Sequence, residues 1–380
     1  MNPAMMPVTF SVSFGLLASM AQVPADLLKD VEKSLRTPQH SFPKSKKKTS
    51  THHEGPFMVS HLELVRQVLT DVANGKFHES VPAAVRAPMQ QVAIEQANNA
   101  LLYVLLHDID KPNCLTLTYE EGQKVEVTWE EWLVLLDSSV TGHLVSLGHG
   151  DLLKQFCNLN GISQISYYQE GRSHGKVAAE RLSGRKDIPE IIVKAIREHE
   201  IAFTFASRGG INIPLFQDTF GTWTDPEINF ALLVNYADQM GSLQENGFPN
   251  IEAFELLAKT WSAEKQFSSL KIRLGRERLD KHKVERSLAV LRDSTEAFQG
   301  ETVEEALERI KSECAIPTYN EERLRAEMSS LVASGVLPIG HVDNLVAVLL
   351  TTGQIPSDLG KKLGKANKPV RDALTRAAKG

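Results

Sequence analysis

The chain has 380 residues, 42% hydrophobic and 23% charged, with a formal net charge of -5 at pH 7. This excludes a disordered chain, provides for more than one core, and argues against a surface that is basic throughout, as a protein coating nucleic acid would need. Three cysteines, Cys114, Cys157 and Cys314, lack C-x-x-C spacing, so they support neither a disulfide framework nor a thiolate zinc site and fit a reducing, cytoplasmic setting.

In chain order, Val8 to Ala21 (VTFSVSFGLLASMA) is apolar, but no Lys or Arg precedes Lys29 and Gly15 interrupts the run. It therefore reads as neither a signal peptide nor a membrane span, and its start alternates like a strand. ADLLKDVEKSL follows as a helix. Residues 41 to 53, SFPKSKKKTSTHH, hold four lysines and no acid, the composition of a polar connector. From Pro56 to about Leu257 helical periodicity dominates, with helices expected over Val59 to Asn74, Met89 to Leu106, Trp129 to Leu136, His174 to Leu182, Ile188 to Phe205 and Glu227 to Met240. Thr128, Asp187 and Thr224 each stand three residues before a glutamate, marking helix starts. Leu115 to Tyr119 and Lys124 to Val127 alternate around Glu120-Glu121-Gly122-Gln123, which predicts a β-hairpin. Lys271 to Arg286 is helix-forming with seven basic and three acidic residues, and short amphipathic helices follow over 302–313, 320–333 and 340–351. The expected fold is mainly α: an N-terminal element and basic linker (1–51), a helical core (52–257) with a hairpin insertion at about 113–150, and a C-terminal helical domain (258–380).

Within the core, LLHDIDKP ends an apolar helix on His107 and Asp108. His61 lies in the first turn of another apolar-periodic helix, His174 opens a third, His199 comes near the end of a fourth, and Asp238 sits in the last turn of a fifth. Each places an ionisable or imidazole group on an otherwise core-forming helix, where leaving it unpaired is costly. One buried metal centre would satisfy all of them.

The order H…HD…H…H…D over Pro56 to Gly241 resembles the HD-domain metal-dependent phosphohydrolase superfamily. HHEGPFMVSH, LLHDIDKP, and HGKVAAERL with IREHE look most like the HD region of bacterial tRNA nucleotidyltransferases. The resemblance covers about half the chain. It implies that His61, His107, Asp108 and Asp238 hold one divalent ion, with Asp108 bridging to a second held by His174 and His199; Mn, Fe, Ni, Co, Zn and Mg all come into question. The implied activity is hydrolysis of a phosphate mono- or diester on a nucleotide or RNA end by metal-activated water. Lys111 would lie near the substrate phosphate, its alternative being a helix C-terminal cation. Asp110 stands where the nearest relatives usually have glycine and would orient a water or tune the metals. His53, in its His-Glu-Gly setting, is a further substrate-binding candidate, whereas His40, His52, His78, His143, His149, His282 and His341 read as surface or capping residues. The hairpin, close behind the ligands, is expected to shape substrate choice.

Alternatives are an HD-type di-iron oxygenase, which shares the ligands, and a non-catalytic HD protein binding a nucleotide or nucleic acid, the latter through 271–286. A P-loop is absent. GRSHG at 171–175 matches G-x-S-x-G but lacks the β/α alternation of a nucleophile elbow, so Ser173 reads as a helix cap.

Overall fold

The computed structural model describes residues 22–39, 54–244, 246–249 and 251–378. The proposed strand near Val8, the lysine-rich connector at 41–53, and with it His52 and His53, and His40 lie outside them. Described residues form two compact units, 1–264 and 265–380, so the division falls inside a helix rather than at 257.

In the first unit, α1 (Leu28–Leu35), α2 (Met58–Ala73), α3 (Ala83–Glu95) and α4 (Ala97–Leu106) lead to a 3-10 turn at Lys111–Cys114. Strands β1 (Leu115–Tyr119) and β2 (Lys124–Val127) follow, then α5 (Trp129–Asp137), α6 (Val140–Ser146), α7 (Leu153–Leu159), β3 (Ile162–Gln169) and β4 (Arg172–Ser173). Next come α8 (His174–Leu182), α9 (Glu190–Arg197), α10 (Ile201–Arg208), α11 (Ile213–Phe220), α12 (Asp225–Gly241) and α13 (Glu252–Leu274). The second unit contains α14 (Lys281–Arg292), α15 (Val303–Cys314), α16 (Glu321–Ala333), α17 (Val342–Thr352), α18 (Ser357–Leu363) and α19 (Asn367–Ala378). The protein is mainly helical, with one small antiparallel sheet. No helix among the described residues is long and apolar enough to cross a membrane.

The hairpin is present, but it is the edge of something larger. β1 also pairs with β3, Leu115 opposite Tyr167 and Leu117 opposite Ile165, giving the antiparallel order β2-β1-β3-β4. Trp129, Trp132, Phe156 and Ile165 join Leu115 and Leu117 in a core separate from the main helical one. The insertion thus extends past 150 to 173 and includes three helices.

Local chemistry explains several boundaries. Thr128 and Glu131 form the expected capping box: the Glu131 N–H donates to Thr128 Oγ1 at 3.1 Å and the Thr128 N–H to the Glu131 carboxylate at 2.7 Å. Asp187 does not cap. It pairs with Arg185, and Pro189 occupies the N-cap of α9. The helix expected over Ile188 to Phe205 is broken at Glu198–Glu200, where the His199 Nδ1 donates to the Ile196 carbonyl at 2.7 Å and competes for the acceptor the next helical N–H would use. Similarly, Lys271 to Arg286 is not one helix, because α13 ends at Leu274 and Asp280 caps α14 through the His282 and Lys283 N–H groups. Ser173 stands at the α8 N-cap but makes no capping bond.

Gly241 permits a close helix approach in the main core. A Cβ there would lie 2.7 Å from Val65 Cγ2 and 3.0 Å from its backbone nitrogen, so only glycine lets the end of α12 reach α2. That contact brings Asp238 to His61.

Leu117, central and fully buried in the insertion, should cost about 2–4 kcal/mol when changed to Ala, whereas Val140→Ala, 79% exposed, should stay within about 0.5 kcal/mol. Urea unfolding of both variants checks the contrast; equal midpoints would mean that the insertion's core contributes nothing.

Candidate metal centre

Five chain segments deliver the candidate ligands. His61 comes from the first turn of α2, His107 and Asp108 directly follow α4, His174 opens α8, His199 occupies the α9–α10 break and Asp238 lies in the last turn of α12. All six are buried, with Asp238 the most accessible at 9%. Gly175 permits this crowding, since a Cβ on it would meet His199 Cε1 at 2.2 Å and the Ile196 carbonyl at 2.9 Å.

Backbone carbonyls orient three of the imidazoles. His61 Nδ1 lies 3.1 Å from the Gly241 oxygen, His107 Nδ1 3.0 Å from that of Val104, and His199 Nδ1 2.7 Å from that of Ile196. A carbonyl only accepts, so each Nδ1 keeps its hydrogen and Nε2 is the atom presented to a proton or a metal. Tyr103 stacks on His107, ring centroids 4.9 Å apart, and limits its rotation.

The inward atoms form two groups that could each hold a metal ion: His61 with His107 and Asp108, and Asp108 with His174 and His199. Asp108 belongs to both. Its Oδ2 lies 3.1 Å from His107 Nε2 and 3.8 Å from His61 Nε2, while its Oδ1 lies 2.9 Å from His174 Nε2. Asp238 Oδ1 joins the first group, 2.9 Å from His61 Nε2 and 3.6 Å from His107 Nε2. His174 and His199 bring their Nε2 atoms within 3.1 Å, close to the ~3 Å separation of two nitrogens each ~2.1 Å from one ion. Yet His107 Nε2 and Asp108 Oδ1 are buried without a hydrogen bond of acceptable geometry. Atoms that lie side by side, off each other's hydrogen-bond directions, fit a set of ligands turned toward a shared ion.

Charge is balanced inside this cluster. Burial opposes a proton on His61, but Asp238 and Glu54 carry its pKa up to about 10; burial likewise opposes one on His107, and Asp108 carries it up to about 9. Burial raises Asp108 and Asp238, but His107 with Lys111 holds the first, and His107 with His61 the second, well below the carboxylate range. Burial pushes His199 down.

No family model, curated protein or solved structure matches the chain. Its chemistry must therefore be read from the side chains themselves.

The centre opens into a cleft of about 210 Å3, with Asp108, Lys111, His174, His199 and Asp238 among its walls and residues 164–168 of β3 along another side. Lys111 is buried, its Nζ 2.9 Å from Asp108 Oδ2 and 4.9 Å from the centre of the Tyr167 ring. The structure moves two expectations. Asp110 is not among the cleft's lining residues: its carboxylate forms an ion pair with Arg181, Nε at 3.0 Å, and accepts a hydrogen bond from Asn113 Nδ2 at 2.7 Å, which ties the turn after His107-Asp108 to α8. The insertion reaches the cleft through β3 rather than through the hairpin strands β1 and β2, which were expected to shape substrate choice.

Several contributors escaped sequence reading. Glu54, the neighbour of His53, is buried 3.5 Å from His61 Nδ1. Glu200 lines the cleft; burial raises its pKa, but His174, His199 and Lys111 bring it below its usual value, as does a hydrogen bond from Ser173. Both sit inside the quoted motifs HHEG and IREHE, where an acid beside a ligand histidine was the available signal. Ser34, which donates to the Asp108 carbonyl at 2.9 Å, and Tyr167, whose hydroxyl donates to the Pro38 carbonyl at 2.5 Å, gave none.

Gly175→Ala should displace His199 and weaken metal binding about 10- to 100-fold with helical content preserved. Titration calorimetry with Mn(II), alongside circular dichroism, measures this; unchanged affinity would show that His199 holds no ion.

Proposed function

We propose that the protein is an HD-type metal-dependent phosphohydrolase acting on a phosphate ester of a nucleotide or RNA end, with two divalent ions. The observation that carries this reading is the two-sided carboxylate of Asp108, one oxygen toward His61 and His107 and the other toward His174. The residues fit the group: carboxylates, and imidazoles whose protons an ion displaces on binding, suit first-row divalent ions, and a bridging carboxylate suits a pair. Bound there, the ions would supply a water of lowered pKa and a Lewis acid for phosphoryl oxygen.

The remaining work falls to the chain's own groups. Lys111 places a buried ammonium at the cleft wall, where it offsets the charge of a phosphate oxygen far better than an exposed lysine would. Tyr167 holds that ammonium from the other side through its ring, and its own hydroxyl is fixed on Pro38. Glu200, ionised and facing the cleft, is placed to accept a proton from the attacking water. The carbonyl-anchored histidines keep their inward nitrogens in position, so no reorganisation is needed as charge develops.

Asp108→Ala and His107→Ala should abolish hydrolysis of a generic aryl phosphate, and Lys111→Met should lower kcat/KM by about a hundredfold with the metal content intact. Metal analysis and steady-state kinetics on folded variants test this. Undiminished turnover in Asp108→Ala would remove the mechanism. Dioxygen uptake by the iron-loaded protein, without phosphate release, would point to the di-iron oxygenase.

Removing His174 and His199 together should reduce the metal content from two ions per chain to one. Equal stoichiometry before and after, by elemental analysis, would mean that these histidines only pack.

A further inference from the structure

A second cavity in the first unit, about 370 Å3, lies between α1 and the insertion and contains none of the candidate ligands. Its apolar wall includes Trp129, Trp132 and Phe57, and Lys29, Lys33 and Arg36 from α1 and its C-cap line another part of it. Two of these aromatic rings, Trp129 and Phe57, are buried at 8% and 7% exposure, so the wall is part of the insertion's core rather than a loose surface patch. One acid, Glu32, shares the lining with the three cations. Lys33 also reaches Glu130, but at 3.5 Å with the glutamate 74% exposed, a pair worth only about 0–1 kcal/mol and open to exchange.

We propose that this cavity binds a small amphipathic anion, with a compact aryl or short acyl body against the tryptophans and a carboxylate, sulfonate or phosphate head at Lys29 and Lys33. Three features of the cavity select that class. The volume suits a body of about ten to fifteen carbon atoms, given that pockets of a few hundred Å3 take small ligands. An apolar wall alone would accept neutral solutes, but Lys29 and Lys33, set against one lining acid, Glu32, favour an anion and lower the binding of cations. The two lysines come from successive turns of one short helix, at positions 29 and 33, so they share one face of it rather than being scattered charges.

The site is distinct from the metal centre, although both use α1: Ser34, between Lys33 and Arg36, donates to the Asp108 carbonyl. Occupancy of the cavity therefore bears on the face of α1 opposite its contact with the centre, and the proposal stands whether or not the protein is a phosphohydrolase.

The test uses 1-anilinonaphthalene-8-sulfonate as an aryl anion and decanoate as an acyl competitor, on the full chain. Trp129 and Trp132 are two of four tryptophans, so bound probe should draw energy transfer from tryptophan excited near its red edge. Saturable binding of one probe per chain, unaffected by chelator or by Mn(II), is expected. The Lys29→Glu/Lys33→Glu double variant should weaken it about tenfold or more, and Leu133→Arg, at the partly exposed lining residue, should do the same by obstructing the apolar body. Competition by decanoate would identify an acyl-accepting pocket, and its failure an aryl-selective one; both support the site. Binding that both variants leave unchanged, or that Mn(II) displaces, would place the probe elsewhere and overturn the proposal. So would the absence of saturable binding, whether the cavity is then filled by the chain itself or by nothing. Circular dichroism of the variants guards against a folding defect, and the surface charge reversal keeps the test decisive if Leu133→Arg fails to fold.

Discussion

Burying the carboxylate of Asp108 is the constraint around which the first unit is arranged. An isolated buried carboxylate costs several kcal/mol, and it is tolerated only when cations and donors surround it. Here His61, His107 and His174 arrive from α2, the end of α4 and the start of α8, and Lys111 from the following turn. Asp238, from α12, compensates the histidines in turn. Such a cluster forms only if five chain segments meet to within a few ångströms, so helix packing and site geometry are a single problem. Gly241 and Gly175 are where that problem is solved, because a methyl group at either would force a helix or an imidazole away.

Long amphipathic helices were the most legible part of the fold. α8 was bounded to the residue and α2 and α12 to within a residue or two, because their starts carry proline, threonine or an apolar onset and their apolar faces repeat on a helical period. The hairpin was legible as well, by alternation about Glu120-Glu121-Gly122-Gln123. β3 was not. Its partner β1 is nearly fifty residues away, and ISQISYYQ mixes buried isoleucines with polar residues that face the cleft, so neither periodicity nor a turn signal announced it. Helix breaks were equally hidden, since His199 ends α9 through a side-chain bond to its own backbone that any propensity scale ignores.

The candidate ligands were visible in advance because each is a costly exception on an otherwise apolar face, and the structure gathers all six into one buried cluster. What the sequence did not carry is the direction in which each side chain points. Asp110 shares the motif with Asp108, two positions on, but the turn after α4 swings its carboxylate to Arg181 and Asn113. Lys111, one residue further, comes back to the cleft. Nothing in DIDKP distinguishes these outcomes; they follow from the 3-10 geometry at Lys111–Cys114 and from the presence of an arginine on α8, more than seventy residues later.

That arginine gives α1 a standing its place in the chain conceals. Arg181 Nη1 takes Asp30 at 2.8 Å while its Nε takes Asp110, so one planar guanidinium fastens α1, the turn beside the ligands and α8 to each other. Arg185, a turn later, adds a bidentate pair with Asp26. A truncation designed by eye to begin at the first ligand helix would discard Asp26, Asp30 and Ser34 together, and would leave Arg181 half-satisfied and the Asp108 carbonyl open to solvent. For anyone trimming this chain for expression or crystallisation, the smallest sensible piece begins before α1, well ahead of the first residue that could touch a metal.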